Sequence, residues 1–225
     1  MTQHPATVFL VDVDNTLLDN DRFLSDLHER LEQAFGAERA GRYWTGFEQL
    51  RDELGYVDYL GALQRFRAGA SRGDMSEQQL LRMSTFLLDY PFADRLYPGA
   101  TETLKHLRRH GPTVILSDGD VVFQPRKVQR SGLWDATEGR VLIYVHKEQM
   151  LDLVEQLHPA RHYVMVDDKL RILSAMKAIW GPRLTTVFVR QGHYALDAEA
   201  NAAYAPADIT VERISDLINF DFPST

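Results

Sequence analysis

The chain has 225 residues, 44% hydrophobic and 25% charged, a globular composition too rich in apolar material for a disordered tail. It carries 32 acids against 25 bases, a net charge of −7, and lacks the basic stripe that a nucleic-acid partner demands. The absence of cysteine removes disulfides, thiolate metal sites, iron–sulfur clusters and cysteine nucleophiles together. No stretch approaches the roughly 20 apolar residues needed to span a bilayer, so no membrane partner is expected.

Residues 1–6 are polar, and the apolar run at 8–11 is too short for the core of a signal peptide; the expectation is a soluble, cytoplasmic protein. The run Thr7-Val8-Phe9-Leu10-Val11-Asp12-Val13 reads as a buried strand, because it is short, β-branched and nearly continuous in apolar residues. Residues 20–95 contain no such run. Phe23, Leu27, Leu31 and Phe35 recur at a helical period, followed by Tyr43, Trp44, Phe47, Leu50 and Leu54, then Tyr56, Tyr59, Leu60, Leu63 and Phe66. Ser76 with Gln79 forms a capping box, and Met75 with Leu80 a hydrophobic staple, opening a further helix to about Leu88. About four helices packed as a small bundle are therefore expected after the first strand.

The chain re-enters through Tyr97-Pro98-Gly99 into a helix with Leu104 and Leu107, stopped by Gly111-Pro112. Strand-like runs follow at 113–116, 141–145, 163–166 and 186–189, with helical patterns between the later ones. This alternation predicts an α/β fold: a doubly wound, mainly parallel sheet carrying an inserted helical domain. The expected division is a core of residues 1–18 and 96–225 with a helical unit at 19–95. The alanine-rich stretch 195–207 reads as a surface loop or short helix.

Four features fall at C-terminal strand ends, the edge where open α/β sheets bind ligands: Asp12 and Asp14, then Ser117, then Lys147, then Asp167-Asp168. Asp12 and Asp14, two apart on an extended segment, should point the same way. Several carboxylates in one small site repel unless a cation joins them, and a hard, oxygen-preferring ion such as Mg²⁺ fits. Lys147 and the Ser117 hydroxyl would then bind an anionic group. Metal, lysine, hydroxyl and a free carboxylate together suit phosphoryl transfer, where positioning and charge neutralisation dominate.

These features in this order, Asp-x-Asp-x-Thr at Asp12 to Thr16, Ser117, Lys147 and the acidic pair Asp167-Asp168, resemble the haloacid dehalogenase superfamily, most of whose members are phosphatases. The turn Leu96-Tyr97-Pro98-Gly99-Ala100 resembles it too, and the insertion is similar in place to the family's helical cap. The resemblance implies that Asp12 is the nucleophile, forming an aspartyl-phosphate, and that Asp14 is the general acid and base. It implies that Asp12, Asp167 and the main-chain carbonyl of Asp14 hold Mg²⁺, with Asp168 a ligand directly or through water. Ser117 and Lys147 would grip the phosphoryl group, and backbone N–H groups near Val13, Asp118 and Gly119 would add donors. Dehalogenases of the superfamily, the resemblance implies, lack the second aspartate and the metal, so Asp14 argues against that activity. The expected substrate is a small phosphorylated metabolite. A phosphomutase on the same scaffold, and a non-catalytic phosphate-binding or protein-interaction module, stay open.

Single residues also have plainer readings. Asp168 can serve as a helix N-cap, and Lys169 can neutralise it locally. Lys127, in a mostly polar helix, reads as a solvated face residue, so Lys147 is preferred as the site lysine. His193 reads as a local hydrogen-bonder. Tyr43, Trp44, Tyr56 and Tyr59 read as core of the insertion, and Arg51, Arg65, Arg67 and Arg72 as exposed helix surface.

Overall fold

The computed structural model describes residues 5–69 and 76–222. Six strands form one sheet in the order β3-β2-β1-β4-β5-β6, every adjacent pair parallel. They are β1 (Thr7–Val11), β2 (Thr113–Asp118), β3 (Val141–Tyr144), β4 (His162–Asp167), β5 (Leu184–Val189) and β6 (Ile209–Val211). The doubly wound α/β expectation holds. The central strand is apolar from Val8 to Val11 because both faces are covered. Phe9 and Val11 pack into one core with Ile115, Val164, Val166 and Val187, while Val8 and Leu10 pack into the other with Val114, Leu116 and Met165.

Two strand expectations need correction. The strand β1 ends at Val11, not Val13, although the Asp12 N–H still donates to the Val166 carbonyl at 3.0 Å. The three-residue β6 was not expected at all. It extends the sheet beyond β5, pairing Val189 with Val211.

Between β1 and the turn Phe92–Arg95, the described residues form four helices: α1 (Asn20–Phe35), α2 (Ala37–Leu54), α3 (Tyr59–Ala68) and α4 (Glu77–Asp89). Helix α1 buries Phe23, Leu27, Leu31 and Phe35, its expected stripe, and is capped by Asp19, which accepts from the Arg22 N–H at 2.9 Å. Helix α2 buries Tyr43, Phe47 and Leu50, but Leu54 is exposed. At the start of α4, the Ser76 N–H donates to Gln79 Oε1 at 3.1 Å. Gln79 Nε2 donates to the Ala34 carbonyl at 2.6 Å, which ties α4 to the end of α1. Met75 of the expected staple lies outside the described residues.

The remaining helices are α5 (Ala100–His110), α6 (Phe123–Arg130), α7 (Leu133–Ala136), α8 (Leu151–Leu157), α9 (Leu170–Trp180), α10 (Gly192–Leu196) and α11 (Ala198–Asn201). Helix α5 packs on the core that holds the inserted helices, through Leu104 and Leu107; α8 and α9 cover the opposite face, through Val154, Ile172 and Met176. The C-terminal ends of β1 and β4 lie side by side, with β2 on the other flank of β1. The loops after these three strands therefore converge. No described helix is long and apolar enough to cross a membrane.

Candidate active site

Asp12 follows β1 and is 4% exposed. Lys147, in a single 3-10 turn after β3, reaches across the strand ends: its Nζ lies 2.5 Å from Asp12 Oδ1, 2.7 Å from Asp167 Oδ2 and 3.3 Å from the Leu116 carbonyl. Burial opposes the lysine's charge, but Asp12, Asp167 and Asp118 outweigh it and hold its pKa well above the usual value. Asp118, at the end of β2, fixes this turn by accepting from the Lys147 N–H at 2.8 Å. Burial raises its pKa, against the pull of Lys147.

Asp167 ends β4, and its Oδ1 accepts from the Lys169 N–H at 2.8 Å. Asp168 is fully buried, with neither carboxylate oxygen hydrogen-bonded. Burial pushes Asp167 up to about 6, Lys147 pulling against it and Asp12 adding to it. Burial, reinforced by the Asp167 charge, pushes Asp168 well above the carboxylate range. Asp12, Asp167 and Asp168 each offer an oxygen within 4.8 Å of the others. Three buried carboxylates, with both Asp168 oxygens lacking a donor, face the Lys147 ammonium and the nearby charge of Lys169, and form a site short of positive charge. A hard divalent ion with oxygen ligands fits that donor set.

Asp14 stands apart from this group. Its Oδ1 accepts from Lys127 Nζ at 2.6 Å and its Oδ2 from Gln124 Nε2 at 3.2 Å. After Asp14 the chain turns: the Leu17 and Leu18 N–H groups bond back to the Val13 carbonyl, and Asn15 adopts a left-handed φ of 59°. The side chain of Asn15 locks this turn to α1, accepting from the Asn20 and Asp21 N–H groups at 3.0 and 3.2 Å.

Ser117 is buried at the end of β2, and its Oγ accepts from Gln124 Nε2 at 3.0 Å. Gln124 thus bridges Ser117 and Asp14. The Gly119 N–H, expected as a free donor, is taken by the Tyr144 carbonyl at 2.9 Å. Gly119 has a steric role instead: a Cβ there would lie 2.6 Å from the Gln124 Cβ.

Lys127 corrects its expectation, being 1% exposed and bonded to Asp14 rather than solvated. Both lysines are thus buried at the strand ends, Lys147 beside Asp12 and Asp167 and Lys127 beside Asp14. Asp168 is not an N-cap; that position belongs to Lys169, without a side-chain bond. Lys169 places its ammonium 4.7 Å from the centre of the Tyr194 ring, and Asp168, Asp12 and Asp167 raise its pKa against burial. His193 pairs with Asp21, 172 residues away in sequence, Nδ1 to Oδ1 at 2.5 Å, rather than with a local partner.

A cavity of about 860 Å³ opens between the inserted helices and these strand ends. Asp14, Asp118, Lys127 and Lys169 line it from the sheet side, and Trp44, Arg51, Tyr56 and Tyr59 from the insertion. Of the aromatics expected as core, Tyr43 and Tyr59 are buried in it, the Tyr43 hydroxyl donating to the Tyr59 carbonyl at 3.1 Å, whereas Trp44 and Tyr56 are only partly buried. Arg51 pairs with Glu48 beside the cavity, while Arg65 and Arg67 pair with Glu53 and Glu77 on the surface. Arg72 lies outside the described residues. Gln124, Lys127 and Asn20 were missed by sequence reading.

The model of the haloacid dehalogenase-like hydrolases matches residues 6–179. A protein of Burkholderia xenovorans described as a haloacid dehalogenase-like hydrolase is 64% identical, with a TM-score of 0.89, over 97% of this chain and 100% of its own. A family hydrolase of Xanthomonas campestris is 17% identical, with a TM-score of 0.67, over 97% of this chain and 91% of its own. The hydrolase YfnB of Bacillus subtilis, solved bound to magnesium, is 16% identical, with a TM-score of 0.62, over 97% of this chain and 100% of its own. These last two likenesses show the fold alone. No curated protein matches the chain.

Proposed function

The chain belongs to the haloacid dehalogenase-like hydrolases, and on that premise we propose that it is a Mg²⁺-dependent phosphatase of small phosphate monoesters. The observation that carries this reading is the division of the carboxylates. Three gather within 4.8 Å, and a fourth, Asp14, is held separately with a quarter of its side chain exposed where it lines the cavity. Displacement at carbon by a single aspartate leaves that second acid without a task, whereas breaking a phosphate ester needs a proton for the leaving oxygen.

Asp12 attacks the phosphorus, the ester P–O bond breaks, and Asp14 gives its proton to the departing alkoxide. Water then attacks the phosphorus of the aspartyl-phosphate, Asp14 takes its proton, the Asp12–phosphorus bond breaks and phosphate leaves. Lys147 offsets the charge of Asp12 and of the phosphoryl oxygens. Ser117 orients the group, with Gln124 beside it. Asp12, Asp167 and Asp168 would hold Mg²⁺, which supplies charge neutralisation to the phosphoryl group when bound. The inserted helices act as a cap that keeps bulk water from the cavity.

The test is phosphate release from sugar phosphates, nucleotides, phospho-amino acids and an aryl phosphate, with Mg²⁺ and with EDTA, alongside halide release from a 2-haloacid. Metal-dependent phosphate release from one ester class is expected. Halide release without phosphate release from any ester would overturn the reading.

A further inference from the structure

The ammonium of Lys127 sits in an enclosure more elaborate than a salt bridge requires. Its Nζ lies 5.7 Å from the ring centres of Phe23 and Phe92 and 5.5 Å from that of Phe123. Its two hydrogen-bond acceptors are Asp14 Oδ1 at 2.6 Å and Asn20 Oδ1 at 3.0 Å. A buried charge is costly unless it is paired and hydrogen-bonded, and three aromatic faces favour a cation only within a narrow volume. The ammonium is thus confined to one place, set jointly by α1 (Asn20, Phe23), the turn Phe92–Arg95 and α6 (Phe123).

Helix α6 is in turn fastened to the insertion. Arg126 donates to the Leu88 carbonyl at 3.1 Å and the Asp89 carboxylate at 2.9 Å, and Arg130 to the Asp89 carbonyl at 2.7 Å. Asp14, by contrast, lies in a short turn, and its carboxylate has no partner among Asp12, Asp167 and Lys147. What fixes its direction comes from α6: Lys127 on one oxygen, Gln124 on the other.

We infer that Lys127 is a positioning residue for Asp14, aiming the carboxyl that exchanges a proton with the leaving oxygen, and that it takes no part in transfer of the phosphoryl group to Asp12. The inference rests on the phosphatase reading. The ammonium bonds to Asp14 and Asn20 and to no member of the three-carboxylate group. Its removal therefore weakens leaving-group protonation and spares nucleophilic attack.

The experiment compares wild type, Lys127→Met, Asp14→Asn and the double variant on an alkyl phosphate and on 4-nitrophenyl phosphate, with Mg²⁺ present. The nitrophenolate leaves without help from an acid; the alkoxide does not. Lys127→Met is expected to lower kcat on the alkyl ester by about 100-fold and on the aryl ester by less than about 10-fold, with KM nearly constant. On the alkyl ester the double variant is expected to be no slower than Asp14→Asn, because the lysine acts through that aspartate. Equal loss on both esters, or losses that multiply in the double variant, would overturn the inference while wild-type turnover upholds the phosphatase. A wild type that releases phosphate from neither ester overturns both. Should Lys127→Met fail to fold, Asn20→Ala removes the second anchor of Nζ; it is expected to give the same ester-selective loss, smaller in size, and an unselective loss contradicts the inference.

Discussion

Asp168 buries both carboxylate oxygens without a donor, which weakens a fold unless something else fills the gap. Asp168→Asn is therefore expected to keep or raise the thermal midpoint of the metal-free protein and to abolish most of the rise that Mg²⁺ produces. A variant stabilised by Mg²⁺ as much as wild type would contradict the ligand assignment. Protonation carries the same logic. Asp167 is pushed to about 6 and Asp168 well above the carboxylate range, whereas a free aspartate titrates near 3.9. Between about pH 4 and 6 the folded metal-free chain holds more protons here than the unfolded chain, so these groups cost stability as pH rises through 6. Mg²⁺ needs the carboxylates ionised and relieves that cost. Melting with and without MgCl₂ is expected to show a larger metal-induced gain at pH 8 than at pH 5; an equal gain at both would count against the cluster as the site. Asp12→Asn removes the nucleophile and is expected to abolish turnover in a protein that melts normally.

Among elements, legibility followed burial and length. Strands β1, β2, β4 and β5 were readable because a parallel strand covered on both faces must be apolar at successive positions, and that also located Asp12, Ser117 and Asp167 at their ends. The edge strand β6 has three residues, of which only Val211 is buried, too little for any pattern. Helix α1 was readable from a 3.6-residue stripe and α4 from its capping box and staple. Helix α6 was readable as a helix but its inward face was not, because that face contains Gln124 and Lys127, which composition assigns to solvent. Only the partner in space, Asp14, explains their burial, and it is 110 residues away from Gln124 in sequence. The link between β2 and α6 is testable at Gly119, where an added methyl would strike Gln124 at 2.6 Å. Gly119→Ala is expected to displace α6 and lower kcat about 10-fold or more, in line with the sensitivity of catalysis to misplacement of about 1 Å. Unchanged kcat would show that the Gln124 bridge is dispensable.

At the scale of the whole molecule, the sheet supplies a fixed set of strand ends and the helices inserted after β1 roof the cavity above them. A cavity of about 860 Å³ has room for a small phosphate ester, the substrate class proposed above. A far higher kcat/KM for a small ester than for the same phosphorylated side chain within a folded protein is expected, and comparable values would mean that the roof does not select. All of this depends on Asp12 accepting the phosphoryl group. The direct measurement is acid quenching of the Mg²⁺-loaded protein within milliseconds of mixing with a ³²P-labelled ester, followed by mapping of the label. The account predicts an acid-stable, alkali-labile label on the peptide containing Asp12, absent from Asp12→Asn. Label on another residue, or an Asp12→Asn protein that releases phosphate at the wild-type rate, would contradict it.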